Sequence, residues 1–313
     1  MQDLTETDLP FAMYDAFTDV PYSGSQAAII LNATQINTEN RVRIAQEIGV
    51  PATAFVNAVN GNKVNLQFFS TVMELPMCGH GTICLITRLV DVGLLPCTGD
   101  DWHVAVLDLP KGEAKVEYRR NAAGRIEVML DVAAATFALA NLDMAELAEI
   151  LGIQPSDCSI DLPVEVASAD FIHLCLPMRD LKAMANLDPD FPRLAAYCVA
   201  NGLETVAAFC TQVVEPDRTI HVRDFCPAVG VAESAAAGTT NAALAAYLLH
   251  NNLVEVDPLG DATVLSEQGI ELGRPSKVTT RIKAQGGTIS RLQVGGVATK
   301  TVDGVLNTAF GAA

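Results

Sequence analysis

Cys78-Gly79-His80-Gly81-Thr82 places a thiol, an imidazole and a hydroxyl beside two glycines. An apolar run with helical spacing follows at once and ends at Gly93, so this turn is predicted to open a buried helix. The first N–H groups of a helix lack carbonyl partners, and the helix dipole makes that end positive. Such a place binds a carboxylate and lowers the pKa of a thiol. We therefore expect Cys78 to be an acid/base thiol acting on a small carboxylate substrate.

A second glycine turn lies in the other half of the chain, at residues 230–240, and it also leads into an apolar helix. Ahead of it, a helix at 191–201 and strands at 206–210 and 219–225 repeat the order of elements found at 38–69. The chain is therefore interpreted as two similar α/β halves with the active cleft between them. Both turns would supply N–H donors to a carboxylate and to the enolate formed when an α proton leaves. The second turn adds the candidate substrate ligands Ser234, Gly238, Thr239 and Thr240.

The two halves are predicted to meet near residue 130. Residues 1–130 form the first, which a C-terminal strand can complete, and residues 131–313 form the second. Helices are predicted at 38–48, with Thr38 as N-cap and Gly49 as stop, and at 144–151. The remaining predicted strands are 11–17, 27–31, 54–56, 64–69, 107–130 around a turn at 121–124, 171–176, 276–284, 289–294 and 297–302.

Glycine pairs and chain ends complete this outline. Gly286-Gly287 and Gly295-Gly296 each predict a hairpin turn between neighbouring strands. Residues 1–9 are expected to be a loose tail and residues 308–313 a disordered end.

Composition excludes several classes of protein. The chain has 313 residues, half of them hydrophobic, and no run of eighteen apolar residues that would predict a membrane span. A net charge of −17 without a basic cluster argues against nucleic acid and anionic membranes as partners. Residues 1–10 are acidic and polar rather than a signal peptide. The eight cysteines include no Cys-x-x-Cys pair and the five histidines show no zinc spacing, so we expect no metal and reduced thiols in a cytoplasmic protein.

Short motifs along the chain carry a family resemblance. They are Asp15-Ala16-Phe17-Thr18-Asp19, Gly24-Ser25-Gln26-Ala27-Ala28, Thr53-Ala54-Phe55-Val56, Glu74-Leu75-Pro76, Gly79-His80-Gly81-Thr82, Gly238-Thr239 and Glu267-Gln268-Gly269-Ile270-Glu271-Leu272-Gly273-Arg274-Pro275. Over nearly its whole length the chain resembles the phenazine-biosynthesis PhzF-like isomerases, within the diaminopimelate epimerase-like superfamily. The resemblance implies an α+β fold of two pseudo-symmetric halves, each a curved mixed sheet around a central helix. It also implies a cofactor-free homodimer that moves a proton on a small carboxylate.

The sequence departs from that family at positions important for chemistry. The family has its acid/base Glu before Thr53, where this chain has Ala52, and an Asp where this chain has Ser234. The turn Met77-Cys78-Gly79-His80-Gly81-Thr82 is instead similar to the first cysteine motif of proline racemases and hydroxyproline epimerases. Those two-base enzymes carry a second Cys in the opposite turn. The matching place here, at about Ala235, has none.

A single thiol favours a reaction that one base can run. Two-base racemisation needs a proton donor on each face of the α-carbon, and one thiol supplies only one. The leading hypothesis is a cofactor-independent isomerase in which Cys78 moves a proton α, or vinylogous, to a carboxylate. A racemase, epimerase or dehydratase acting on a proline-like amino acid is the second hypothesis. A non-catalytic protein that binds a small carboxylate is the third.

The remaining candidates have both a functional and a structural interpretation. His80 either carries a proton or braces the turn through its ring N–H. Ser25 and Gln26, which stand where the family has Asn-Pro, either touch the substrate carboxylate or cap the next strand. Glu74 is interpreted as structural, as an acceptor for backbone N–H groups. The other candidate substrate contacts are Thr53, Gly79, Gly81 and Thr82.

Overall fold

The computed structural model describes residues 8–308, which fold as two compact units. Unit 1 contains the residues up to Leu130 together with those from Gly295 onward, and unit 2 contains Asp131–Val294. The predicted tail and disordered end fall mainly on residues 1–7 and 309–313, outside the described residues. Within the predicted tail, Asp8 and Leu9 already belong to the first strand.

Unit 1 opens with strands and two helices, most of them where the sequence predicts them. They are β1 (Asp8–Ala16), β2 (Ser25–Ile30), α1 (Thr38–Ile48), β3 (Ala52–Asn60), β4 (Lys63–Phe69), β5 (Glu74–Leu75), α2 (Gly79–Asp91), β6 (His103–Leu109), β7 (Gly112–Arg120) and β8 (Ile126–Asp131). A single 3-10 turn, Ala33–Gln35, precedes α1.

Unit 2 follows, and its last strand runs on into unit 1. Its elements are β9 (Thr136–Leu139), α3 (Met144–Ile150), β10 (Glu165–Ser168), β11 (Ile172–Pro177), α4 (Leu181–Ala185), α5 (Phe191–Ala200), β12 (Thr205–Cys210), β13 (Ile220–Cys226), β14 (Val231–Ser234), α6 (Gly238–His250), β15 (Asp261–Gln268), β16 (Ser276–Gln285) and β17 (Thr288–Asn307). In the part of the chain that the structure describes, none of the helices is long and apolar enough to cross a membrane.

The strands of unit 1 close into a ring around α2. Antiparallel pairs join β1 to β2, β3 to β4, β6 to β7 and β7 to β8, and parallel pairs join β2 to β3 and β4 to β6. The end of β17 pairs with both β8 and β1, which closes the ring. Helix α2 is buried from Gly81 to Leu89, where apolar residues lie on every side of the helix; Ile83, Leu85, Ile86 and Leu89 are fully buried.

Polar contacts at the C-terminal end of α2 fix it inside unit 1. The Tyr14 hydroxyl on β1 donates to the Asp91 carboxylate at 2.7 Å. Arg88 in the last turn of α2 lies 3.3 Å from the Asp303 carboxylate on β17. A cation in the last turn also interacts favourably with the helix dipole. The opposite end of α2, with the glycine turn, is thereby held in a defined place.

Unit 2 repeats the strand order of unit 1. Strands β10, β11, β12, β13, β15 and β16 pair as antiparallel, parallel, antiparallel, parallel and antiparallel neighbours, which is the pattern of β1, β2, β3, β4, β6 and β7. Helix α6 takes the place of α2: each helix has 13 residues, and the third to the eleventh residue of each are buried. The prediction of two pseudo-symmetric halves, each a mixed sheet around a central helix, is confirmed.

The boundaries of α1 show how local chemistry defines a helix. The helix spans Thr38–Ile48 as predicted, but Thr38 is its first residue and not its N-cap. The N-cap is Asn37, whose extended backbone lets its side-chain oxygen accept the Asn40 N–H at 2.9 Å. Gly49 ends the helix with a left-handed φ of 74°, as predicted, and donates to the Ala45 carbonyl.

The prediction of a hairpin at Gly295-Gly296 is wrong, because β17 runs straight through both residues. Gly295 is needed there for close approach: a Cβ at this position would lie 1.9 Å from the Val128 carbonyl oxygen. The other glycine pair, Gly286-Gly287, does form the turn between β16 and β17, with φ values of 59° and 79°. A glycine pair therefore marks a turn only where its backbone adopts positive φ.

Strand β15 was missed from the sequence for a clear reason. Its buried positions include Ser266, Glu267 and Gln268, so it lacks the apolar alternation that identifies a strand. Short strands such as β5 and β14, with two and four residues, carry too little pattern to be seen.

Gly295→Ala is expected to destabilise the protein strongly, since the added methyl meets backbone that cannot move aside. Overpacking of this kind costs about 1–3 kcal/mol or more, measurable as a lower urea midpoint. Gly304→Ala on the same strand is the matched control. Its Cβ would lie 2.8 Å from the edge of the half-buried Phe11 ring, which can shift. Equal urea midpoints for the two variants would contradict this interpretation of Gly295.

Candidate active site

The first turn of α2 is organised by its N-cap, Cys78. This residue is extended, with φ −144° and ψ 114°, and its carbonyl accepts both the Thr82 N–H at 2.9 Å and the Thr82 hydroxyl at 2.8 Å. Thr82 therefore stabilises the turn through its side chain. The N–H groups of Gly79 and His80 lie in the first turn, where a helix has no carbonyl to offer them.

The Cys78 thiol is buried, with 7 % of the residue exposed. Burial raises its pKa to about 12, although a hydrogen bond from the Gly81 N–H acts in the opposite direction. The expectation that the helix start would lower this pKa is therefore wrong. At neutral pH Cys78 carries its proton, so in the resting protein it is a proton donor.

His80 is half-buried and lies against the Cys78 sulfur. The sulfur is 3.5 Å from Nδ1 and 3.6 Å from Nε2, within hydrogen-bond distance of both ring nitrogens for sulfur, and the His tautomer decides which group donates. Burial lowers the pKa of His80 to about 4. The turn therefore holds a neutral thiol beside a neutral imidazole, one able to give a proton and the other able to take one.

The two glycines of the turn have different environments. A Cβ on Gly81 would lie 2.9 Å from the Phe68 ring and 3.1 Å from the Cys78 sulfur, so Gly81 allows these groups to pack together. A Cβ on Gly79 would meet nothing within 4 Å. The open side of the turn is therefore at Gly79, where a ligand can approach the backbone.

Glu74 has a structural contact in unit 1, but its donor is the side chain of Gln67 and not the backbone N–H groups that the sequence analysis expects. Its carboxylate accepts the Gln67 amide N–H at 2.8 Å, and Gln67 in turn accepts from the buried Arg41 guanidinium. Arg41 also donates to the Ala33 carbonyl at 2.8 Å. These contacts join β5, β4 and α1 and keep the Glu74 charge paired.

Three further candidates lie in the same unit, on the strands around α2. Ser25 and Gln26 are the first two residues of β2, and Ser25 is buried. Thr53 lies on β3 and is fully buried, and within residues 8–308 its hydroxyl oxygen has no hydrogen-bond partner. Ala52, beside it, leaves that end of β3 without a carboxylate.

The first turn of α6 has the same build with different side chains. Its N-cap is Ala237, whose carbonyl accepts the Asn241 N–H at 3.1 Å and the Asn241 side-chain amide at 2.9 Å, as Cys78 accepts twice from Thr82. The residue equivalent to Cys78 is thus Ala237, two positions beyond the place estimated from the sequence. Neither position carries a thiol.

The remaining candidates of the second turn lie in different settings. Ser234 ends β14, Gly238 begins α6, and Thr239 is half-buried beside a small pocket of unit 2. The Thr240 hydroxyl is buried and donates to the Asp224 carboxyl oxygen Oδ2 at 3.0 Å.

Asp224 is a titratable residue that the sequence analysis missed. It lies on β13 and is 1 % exposed, and burial raises its pKa to about 7. The available signal was an acidic residue inside a predicted strand, between Arg223 and Phe225.

Comparison with known proteins identifies the family. The family model of the phenazine biosynthesis-like proteins matches residues 14–304. The chain belongs to this family. The resemblance seen in the sequence is thereby confirmed, over most of the chain.

Relatives within the family are named isomerases. An uncharacterised isomerase of Deinococcus radiodurans is 29 % identical over 303 residues, which cover 94 % of each chain. The trans-2,3-dihydro-3-hydroxyanthranilate isomerase of Pseudomonas fluorescens is 27 % identical over 287 residues, covering 91 % of this chain and 95 % of the relative.

A solved structure of the family shares the fold. The phenazine biosynthesis protein of the PhzF family from Bacillus anthracis superposes with a TM-score of 0.86 at 22 % identity, covering 96 % of this chain and 99 % of that chain. The predicted α+β, diaminopimelate epimerase-like fold is confirmed.

Within this family fold, Gly81→Ala should disturb the thiol whereas Gly79→Ala should not. The Gly81 methyl would push against the Phe68 ring and the Cys78 sulfur, at an expected cost of about 1–3 kcal/mol. The Gly79 methyl enters open space, and Ala is the better helix former by up to about 1 kcal/mol. Urea unfolding of the two variants measures the difference. Equal destabilisation would show that Phe68 does not pack on the turn as described.

Alkylation of Cys78 should depend on pH as expected for a thiol of raised pKa. Only the thiolate reacts, so the rate with iodoacetamide should keep rising, with no plateau up to about pH 10. Restricted access slows the reaction at every pH, so the shape of the curve reports the pKa. Mass spectrometry assigns the modified residue, and Cys78→Ala gives the background. A plateau near neutral pH would contradict the buried, protonated thiol.

Proposed function

We propose that the protein is a cofactor-independent isomerase that moves a proton α, or vinylogous, to the carboxylate of a small carboxylic acid. The observation that carries the proposal is the pair of neutral proton carriers, Cys78 and His80, in the first turn of a buried helix. The names of the relatives support the reaction class, and the P. fluorescens enzyme is named for a substrate that is itself a carboxylic acid.

The substrate carboxylate is assigned to the N–H groups of Gly79 and His80. They lie at the positive end of the α2 dipole, which attracts an anion without any Lys or Arg. The open space beside Gly79 provides the approach. The same N–H groups would stabilise the negative charge that develops on the substrate when its proton leaves. A protein with a net charge of −17 can bind an anion in this way because the donors act locally.

Proton transfer then needs no group outside the turn. Neutral His80 takes the proton from one carbon of the substrate, and the Cys78 thiol gives its proton to the other carbon. The protein is left with an imidazolium and a thiolate at the 3.5 Å contact, and transfer from His80 to Cys78 restores the starting state. The protons balance, and the substrate differs only in the position of one hydrogen and one double bond.

A symmetric racemase of proline-like amino acids is less well supported. It would need a second thiol in the turn of α6, and the equivalent residue is Ala237. Ser234, Thr239 and Thr240 remain proposed contacts for the substrate, as do Ser25, Gln26 and Thr53. The homodimer and the cytoplasmic location stay predictions.

Cys78→Ser and His80→Gln should each lower turnover by about 10²–10⁴-fold, the usual contribution of a general acid or base. Proton NMR in D₂O follows the substrate C–H signals with trans-2,3-dihydro-3-hydroxyanthranilate, and L-proline tests the racemase alternative. Cys97→Ser is the matched control, since it removes a half-buried thiol outside the turn.

Three outcomes would contradict the proposal. Full turnover by Cys78→Ser would remove the thiol from the chemistry. Deuterium at the α-carbon of L-proline, with loss of configuration, would favour the racemase. Binding of either compound without any deuterium incorporation would favour a protein that only binds carboxylates.

A further inference from the structure

Unit 2 contains a buried chain of polar side chains next to the first turn of α6. His173 Nδ1 lies 2.7 Å from the Thr205 hydroxyl, and the Thr240 hydroxyl donates to Asp224 Oδ2 at 3.0 Å. Thr205 lies close enough to Asp224 for its hydroxyl to lower the pKa of that carboxyl. None of the four residues is more than 4 % exposed.

The fold does not require this polar chain. In unit 2, His173 is paired with Thr205 and Ala207 with Asp224, and in unit 1 the equivalent pairs are Ala27 with Ala52 and Ala54 with Phe68. The third residue of the central helix is Thr240 in α6 and Gly81 in α2. The same architecture thus folds in unit 1 with Ala, Ala, Phe and Gly in these places.

Keeping a carboxyl group here is unfavourable for stability. Within residues 8–308, Asp224 has no ion pair: the nearby Arg223 makes a two-point contact with Glu233, at 2.9 and 2.8 Å. Asp224 Oδ1 is buried and has no hydrogen-bond partner within residues 8–308. A buried polar atom that is left unpaired indicates a role other than packing.

The other end of the chain reaches a pocket. His173 lines a small pocket of unit 2 together with Phe171, Thr239, Ala242 and Ala243. The pocket has room for about one water molecule. Because Nδ1 of His173 contacts Thr205, Nε2 is the ring nitrogen left for a molecule in the pocket.

We propose that Asp224, Thr205 and His173 form a proton relay between a buried carboxyl group and the pocket beside Thr239. Protonated Asp224 gives its carboxyl proton to the Thr205 hydroxyl oxygen, Thr205 passes its own hydroxyl proton to His173 Nδ1, and His173 releases the Nε2 proton to a water or substrate oxygen in the pocket. Asp224 is left as a carboxylate that keeps the Thr240 hydrogen bond at the positive end of α6. The reverse sequence reloads it.

The groups around Asp224 set the pH range of the relay. Burial raises the Asp224 pKa, the Thr240 and Thr205 hydroxyls lower it, and the Glu233 carboxylate on β14 raises it, giving a value of about 7. On its own strand, burial and the Asp224 charge raise the pKa of the Cys226 thiol. Burial lowers the pKa of His173 to about 4, so the ring passes protons while staying neutral at rest. Asp224 therefore changes its charge near neutral pH.

NMR titration of the whole protein, with ¹³C-labelled aspartate and ¹⁵N-labelled histidine, tests the relay without any substrate. One aspartate carboxyl should titrate with a midpoint near pH 7, and Asp224→Asn should remove that signal. The His173 ring nitrogens should shift with the same midpoint in the unmodified protein. In Thr205→Val the Asp224 carboxyl signal should still titrate, but the His173 ring nitrogens should no longer shift with the same midpoint. Thr205→Ser keeps the hydroxyl and should restore the His173 shift.

Two results would overturn the relay. The first is the absence of any aspartate carboxyl with a midpoint within one unit of pH 7. The second is a His173 response in Thr205→Val equal to that of the unmodified protein. Because these readouts need no turnover, they separate failure of the relay from failure of the isomerase proposal, which the Cys78→Ser and His80→Gln variants test.

Discussion

Burial of the first turn of α2 is the physical constraint on which the rest of the site depends. A helix end stabilises a negative charge by at most about 2 kcal/mol, or roughly 1.5 pKa units, whereas burial can shift a pKa by about 3–5 units. At Cys78 the effect of burial therefore exceeds that of the helix end, and the thiol pKa is raised. Burial lowers the pKa of His80, because burial disfavours the charged form of either group. The result is an uncharged donor and an uncharged acceptor in contact. A carboxylate bound at the N–H groups of Gly79 and His80 therefore has neutral Cys78 and His80 side chains beside it.

The two units use one scaffold for different chemistry. In unit 1 the central helix begins with a thiol and an imidazole, packed on the Phe68 ring through Gly81. In unit 2, Asp224 and Thr240 take the places of Phe68 and Gly81, and Ala237 takes the place of Cys78 as N-cap. Because the strand register is the same in both, the difference lies in side chains alone. The carboxyl group of unit 2 therefore lies on β13, in the place that Phe68 takes on β4, and Thr205 takes the place of Ala52.

Sequence patterns predicted much of this fold and less of its chemistry. The amphipathic helix α1, the apolar helix α2 and the glycine stops were recognisable because spacing and capping are local properties. The straight path of β17 through Gly295 was not, because the carbonyl of Val128 that excludes a side chain there is distant in sequence. The residue of unit 2 that corresponds to Cys78, and that carries no thiol, was estimated two residues too early in the chain. Short motifs do not define how the residues of the two halves align.

The protonation states of Cys78 and Asp224 could not be predicted from the sequence, because they also depend on residues that are distant in the chain. The motif around Cys78 indicated a helix start, which lowers a thiol pKa, but burial by the surrounding strands reverses the outcome. In the sequence, Asp224 is one of several polar residues in an alternating strand, and only the approach of Thr240 and Thr205 distinguishes it. Tertiary contacts, and not residue type, set the protonation of both groups.

The most direct test of the central claim follows the proton that Cys78 carries. The protein is equilibrated in D₂O, mixed rapidly with substrate in excess H₂O, and stopped after a single turnover. If the buried thiol is the proton donor, the product carries one deuterium at the newly formed C–H bond, and Cys78→Ala delivers none. A product of the unmodified protein that contains only solvent hydrogen at that carbon would contradict it.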